Sequence, residues 1–164
     1  MFKERLLKTI LSELVCIKQQ TMSSAQQAYD TATNAENKAE NKYDTLGLEA
    51  AYLAEGQSLR VLQNERDIKA YELIKPECFS NGQPVRIGAL ITLLDEQGST
   101  TVLFLGPSSG GLSVRFADQN EELNVKVITP SSPIGSVLLG KVEGEEVKLH
   151  IGHNTVTYEI MAVV

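Results

Sequence analysis

Several residue types are scarce in this chain of 164 residues, and each shortage excludes a class of protein. There are only two cysteines and two histidines, and Cys16 and Cys78 belong to no cluster with the ligand spacing of a zinc site. We therefore expect no structural zinc. Tryptophan is absent and aromatic residues make up 5% of the chain, which leaves little material for an aromatic-lined pocket.

Basic residues are also in the minority, with 15 Lys and Arg against 21 Asp and Glu and a formal net charge of -6. Because phosphate binding needs clustered Lys and Arg, we expect no sequence-specific DNA binding, and proteins or metal ions are the expected partners. Long apolar runs are missing as well. Charged residues interrupt the first twenty positions, so they predict neither a signal peptide nor a membrane span, and a cytoplasmic protein without a membrane partner is expected.

Motifs of enzymes are missing too. The loop Ser108 to Gly111 has neither the spacing nor the Lys of a phosphate-binding loop. No Gly-x-Ser-x-Gly elbow and no reactive-cysteine context occurs in the sequence. We therefore expect the chain to have no catalytic residue of its own.

The amino-terminal half does contain a long helical pattern. From Leu7 to Ala39, apolar or small residues recur at spacings of three and four, and Tyr43 to Gly47 interrupts them. Two long helices with a short connection favour an antiparallel hairpin, although a dimerising coiled coil explains the heptads equally well. A second helical stripe follows the interruption and consists of Leu48, Tyr52, Leu59, Leu62 and Leu73.

The carboxyl-terminal half predicts a small sheet. After a linker around Pro76 to Pro84, six apolar or alternating runs are separated by turn residues. Ser132 is placed to cap a short helix with Pro133 in its first turn, and Gly140 to end it. We predict an α+β chain with a helical hairpin over residues 1–78 and, over residues 79–164, an antiparallel β-sheet packed on one short helix. The six runs are Val85 to Leu94, Thr101 to Leu105, Leu112 to Phe116, Leu123 to Ile128, Val147 to Ile151 and Thr155 to Val163.

Acidic residues collect around the predicted turn of the hairpin. Carboxylates that share a space can coordinate Mg²⁺, and Asp44 and Glu49 flank the turn as the preferred pair. A solvated acidic surface that keeps a helical rod apart from its neighbours explains the cluster equally well. The acidic residues are Glu36, Glu40, Asp44, Glu49 and Glu55, against Lys38 and Lys42.

The run ITPSSPIGSVLLGKVEGEEVKL from Ile128 to Leu149, followed by TVTYEI, resembles the carboxyl-terminal signature of the Gre family of bacterial transcript cleavage factors. The resemblance extends over most of Val85 to Val164. It implies an FKBP-like fold for this module and docking on the rim of the RNA polymerase secondary channel. We expect Ser131, Ser132 and Pro133, in the turn before the short helix, to form the partner-binding surface.

The same resemblance implies that the hairpin enters the channel and reaches toward the nascent RNA. Its carboxylates then help to hold a second Mg²⁺ at the polymerase active site, and the polymerase itself cleaves backtracked RNA. On this interpretation Asp44 and Glu49 bind a Mg²⁺ that the chain holds jointly with bacterial RNA polymerase. The chain is expected to act as a monomer.

The predicted tip departs from the family pattern. Gly47 or Leu48 stands where the family has its first glutamate, Ala51 stands where it has its second, and Glu49 is a displaced substitute. A channel-binding regulator that inhibits or modulates transcription without cleavage is therefore the alternative. Residues 1–21 have no assigned role and form an extension or a lengthened helix that could pack on the globular module.

Two further classes stay open. The implied fold suggests a peptidyl-prolyl isomerase, although Phe104, Phe116 and Tyr158 are the only aromatic residues from Val85 onward. A dimeric structural adaptor is the other class, and it follows from the heptads alone.

Overall fold

The computed structural model describes residues 2–34, 45–77, 79–80, 82–118, 121–152 and 154–164. Two long helices, α1 (Phe2–Thr33) and α2 (Leu46–Glu72), form the amino-terminal helical hairpin that the sequence predicts. The interruption predicted from Tyr43 to Gly47 extends too far, because Gly47 already lies in the first turn of α2. Tyr43 itself lies outside the described residues. None of the helices in this described part is long and apolar enough to cross a membrane.

The chain forms two compact units, one of Met1–Ile10 with Ala70–Val164 and one of Leu11–Lys69. We call them the sheet unit and the hairpin unit. The domain division predicted between residues 78 and 79 stays a prediction. The compact units assign the first turns of α1 and the last residues of α2 to the sheet unit.

Within the hairpin unit, polar contacts join the two helices of one chain. Lys18 Nζ lies 2.8 Å from Glu65 Oε1, and Asn64 Nδ2 donates a hydrogen bond of 3.2 Å to Thr21 Oγ1. The Lys18 ammonium, by its hydrogen bond and its charge, holds the pKa of Glu65 below its ordinary value. The helices are antiparallel and the hairpin is intramolecular, so the heptads need no second chain to form it.

The described residues of the sheet unit form six strands in the order β3-β4-β2-β1-β6-β5. The predicted α+β architecture is confirmed, but the sheet is mixed and not purely antiparallel, because β2 and β4 run parallel. The chain places β3 at the edge and then returns β4 between β3 and β2, so β4 takes the direction of β2. The strands are β1 (Leu90–Asp95), β2 (Thr100–Leu105), β3 (Ser113–Asp118), β4 (Glu121–Ile128), β5 (Glu146–Ile151) and β6 (Asn154–Val163).

One short helix, α3 (Pro133–Leu138), connects β4 to β5 and contributes the buried Leu138 to the core under the sheet. The first strand is shorter than predicted. Val85 is buried in this core but lies outside β1. Its N–H donates a hydrogen bond of 2.7 Å to the carbonyl of Lys141, and its carbonyl accepts one of 2.9 Å from the N–H of Gly140. Val85 therefore pairs with the residues that follow α3.

The first turns of α1 pack within the sheet unit. The ring of Phe2 meets Phe116 edge to face at 4.9 Å, and Leu6 and Ile10 are fully buried. Lys3 is 3% exposed and donates a hydrogen bond of 2.8 Å to the carbonyl of Glu77. The amino-terminal extension is thus a lengthened helix whose start completes the core of the sheet unit.

Candidate functional site

The segment from the end of β4 into the first turn of α3 contains the three predicted partner-binding residues. The Ser132 hydroxyl donates a hydrogen bond of 2.7 Å to the carbonyl of Thr129 and accepts one of 3.1 Å from the N–H of Gly135. Ser132 therefore caps α3 as predicted. Ser131 and Pro133 have exposed side chains. The structure therefore brings all three into one turn, in which Ser132 builds the loop and the other two face solvent. We call Thr129 to Gly135 the docking loop.

Close packing fixes the shape of the docking loop. A Cβ atom at Gly135 would overlap the carbonyl oxygen of Thr129, so only glycine allows the helix to start this close to the strand end. The hydroxyls of Thr129 and Ser131 share a hydrogen bond of 3.1 Å at the exposed side of the loop. Pro133 at the first helical position presets the backbone for α3. Our sequence reasoning missed Thr129 and Gly135, although a glycine three residues after a capping serine was a visible signal.

A second loop lies against the docking loop. The N–H of Gly106 donates a hydrogen bond of 2.8 Å to the carbonyl of Ile128, and the phenol of Tyr71 donates one of 2.9 Å to the carbonyl of Ser108. A Cβ atom at Gly110 would lie 3.3 Å from Thr129 Cγ2. The Ser108 to Gly111 segment connects β2 to β3 and borders the docking loop. It is not a hairpin connection, because β4 lies between these two strands in the sheet.

Hydrogen bonds to Glu145 stabilise the acidic turn after α3. The carboxylate of Glu145 accepts a hydrogen bond of 2.8 Å from the N–H of Val142 and one of 3.2 Å from Lys141 Nζ. The backbone N–H of Val142, and then Lys141, hold the pKa of Glu145 below its ordinary value. This acid of the Gre-like run thus closes a turn and is not a free ligand.

The structure describes only one of the two predicted metal ligands. Asp44 lies outside the described residues, so its distance from Glu49 stays a prediction. Glu49 is exposed in the first turn of α2, and the Thr45 hydroxyl donates a hydrogen bond of 2.9 Å to its Oε1. Among the described residues, no group of three or more His, Cys, Asp or Glu side chains is placed to hold a metal ion.

The surroundings of Glu49 offer little to a metal ion. Thr45 occupies one carboxylate oxygen and leaves Oε2 for a cation, whereas Mg²⁺ takes several oxygen ligands. The positive end of the α2 dipole lies in the same turn and opposes a cation there by roughly 0.3–1 kcal/mol. A metal role for Glu49 stays a prediction.

Comparisons with known proteins address the family. Residues 80–164, more than half of the chain, match the family model described as transcription elongation factor, GreA/GreB, C-term. The transcription elongation factor GreA of Desulfovibrio desulfuricans is 32% identical over 123 residues, which cover 73% of this chain and 68% of that protein. GreA of Maridesulfovibrio salexigens is 28% identical over 85 residues, covering 51% of this chain and 46% of that protein.

Among solved structures, a prokaryotic transcription elongation factor GreA/GreB from Nitrosomonas europaea is 20% identical with a TM-score of 0.38, and the match covers 71% of this chain and 92% of that one. A TM-score this low supports no argument about the site. The family match and the relative from Desulfovibrio desulfuricans are sufficient without it. This chain belongs to the GreA/GreB family of transcription elongation factors.

Proposed function

We propose that this chain binds bacterial RNA polymerase at its secondary channel and stimulates cleavage of backtracked RNA by the polymerase. The observation that supports a role for the hairpin is the exposed carboxylate of Glu49 in the first turn of α2, beside the connection to α1. Family membership supports the polymerase as the partner. The chain contributes binding and carboxylates, and the polymerase carries out the reaction.

Each unit of the chain has its own task in this proposal. The docking loop of the sheet unit attaches to the polymerase through the exposed Ser131 and Pro133. Glu49, oriented by the Thr45 hydroxyl, and Asp44 supply carboxylate oxygens at the polymerase active site. These two carboxylates and the polymerase would hold a Mg²⁺ jointly, and its positive charge would stabilise the attacking and leaving oxygens of phosphodiester cleavage.

Substitution of the two carboxylates tests this role. In the full chain, Asp44→Asn and Glu49→Gln remove charges that a hard cation needs, so RNA cleavage in a backtracked polymerase complex should fall by about tenfold or more in each. Polymerase binding and the melting temperature should hardly change, because exposed substitutions usually alter stability by less than about 0.5 kcal/mol. Gln at position 49 can still accept the hydrogen bond from Thr45.

Glu13→Gln is the matched control, because Glu13 is an exposed acid of the same hairpin unit far from α2's first turn in sequence. It should leave cleavage unchanged. Full cleavage by both single variants and by the double variant would reject the metal role of the pair.

A second function is favoured by one observation. Ala51 is exposed on α2 and Gly47 has no side chain, so the positions where the family resemblance expects glutamates carry no carboxylate. A regulator that occupies the channel and reduces transcription without cleavage accounts for this. In the same assay, unshortened RNA with reduced RNA synthesis would support it.

A further inference from the structure

The helix α2 has two rows of residues with heptad spacing. The inner row is buried or half-buried and includes Ala50, which is 8% exposed. It consists of Gly47, Ala50, Ala54, Gln57, Val61, Asn64 and Ile68. The second row, which we call the outer seam, is exposed along its whole length and consists of Leu48, Tyr52, Glu55, Leu59, Leu62, Arg66 and Lys69.

The apolar members of the outer seam are not explained by the hairpin. Tyr52, Leu59 and Leu62 are 65%, 62% and 50% exposed. The outward face of a two-helix hairpin is ordinarily polar, and leucines at alternating spacings of three and four are what a helix presents to a second helix. An exposed apolar row of this kind is typical of an interaction surface.

The sequence of the outer seam is complementary to itself when read in the opposite direction. With the two-fold axis midway between Leu59 and Leu62, Leu59 faces Leu62 of a second copy. Glu55 then faces Arg66 of that copy, and Tyr52 faces its Lys69. Symmetry repeats each contact, which gives two apolar layers at the centre, two ion pairs around them and two contacts of an ammonium with an aromatic ring outside.

A parallel pairing of two outer seams would bring like charges together. It would place Glu55 against Glu55, Arg66 against Arg66 and Lys69 against Lys69, and like charges across an interface are costly. The charges therefore select the antiparallel arrangement. Neither Glu55 nor Arg66 forms an ion pair within the described part of its own chain, so both are available to a second copy.

We propose that the outer seam of α2 is the interface of an antiparallel homodimer. Leu62 also lines an open groove of about 530 Å³ with Met22, Tyr29 and Val61, so a second helix on the seam would cover further apolar surface. From Leu48 to Lys69 the seam spans about 30 Å at the rise of an α-helix. A contact between two such helices is small, so we expect a weak, reversible dimer in place of the monomer expected from the sequence.

Charge reversal in the full chain tests the dimer and its direction together. Sedimentation velocity at low salt, over a concentration series from about 1 μM to 1 mM, should show reversible dimerisation of the wild type. Glu55→Arg and Arg66→Glu each place like charges in two layers, and should raise the dissociation constant by about tenfold or more. The double variant E55R/R66E exchanges the charges and should restore the wild-type constant.

Matched controls separate the seam from general charge effects. Arg60→Glu changes an exposed arginine of α2 outside the seam, and Glu13→Arg changes an exposed glutamate of α1. Both should dimerise as the wild type does, and circular dichroism should show full helix content in all variants. A wild type that is monomeric at 1 mM, a dimer indifferent to the single changes, or a folded double variant that stays monomeric would each overturn the proposal.

Discussion

At the scale of single residues, the docking loop separates structural from surface roles. The hydroxyl of Ser132 donates to Thr129 and accepts from Gly135, whereas the neighbouring Ser131 is exposed. A change at Ser132 therefore acts on the shape of the loop, and a change at Ser131 acts on what the loop contacts. The two adjacent serines allow folding and binding to be measured independently.

We expect Ser131→Glu to weaken polymerase binding by about tenfold or more while the melting temperature stays unchanged, because a charge enters a contact at the proposed docking surface. Ser132→Ala should instead lower stability by about 1 kcal/mol through loss of the cap. Ser113→Glu is the matched control, since Ser113 is an exposed serine of β3. Equal binding by the Ser131 and Ser113 variants would contradict the predicted docking surface.

At the scale of elements, α1 contributes to both compact units. Its first turns bury Leu6 and Ile10 completely in the sheet unit, and Phe2 packs on Phe116 of β3. The remainder of α1 forms the hairpin with α2. The lengthened helix is therefore part of the sheet unit's core, and its removal should destabilise that unit.

Leu6→Ala should lower the free energy of unfolding of the sheet unit by about 2–5 kcal/mol, because it removes buried methyl groups and leaves a cavity. Urea unfolding followed through a signal of the sheet unit measures the loss. Lys8→Ala, two residues further on the same helix, breaks only the exposed pair with Glu4 and should cost less than about 0.5 kcal/mol. Similar costs for the two variants would show that the start of α1 is not part of the core.

At the scale of the whole molecule, the two units differ in how much apolar surface they bury. The buried apolar side chains described in the hairpin unit are Leu14, Ala28 and Ala50, whereas the sheet unit has a contiguous core that includes Ile91, Leu93 and Ile160. Alanines contribute little burial each, so the hairpin unit has a smaller margin of stability.

Amides of the hairpin unit should therefore exchange with solvent faster than those of β1, by about a hundredfold or more, in native-state hydrogen exchange. Gly56→Ala provides an internal check. A Cβ atom at Gly56 meets nothing within 4 Å, so alanine should stabilise α2 by about 1 kcal/mol and slow exchange only in the hairpin unit. Equal protection of both units in the wild type would contradict the prediction.

The sequence by itself determined the features that depend on neighbouring residues. Ser132 and Pro133 start α3 as predicted, because the capping bond joins residues three apart. The six strands and the two long helices follow from hydrophobic periodicity and turn residues. The Gre-like run from Ile128 to Leu149 also identified the family, which the family model matches over residues 80–164. Asp44 and Glu49 as a metal pair stay a prediction.

Only the tertiary structure decided which surfaces meet. The second helical stripe, with Leu59 and Leu62, is exposed, and small or polar residues such as Ala50 and Asn64 face the other helix. Nothing local indicates that β4 lies beside β2 or that Lys3 is buried against Glu77. Periodicity shows that a face is apolar, but the partner of that face depends on contacts between residues far apart in the chain, and these exist only once the chain has folded.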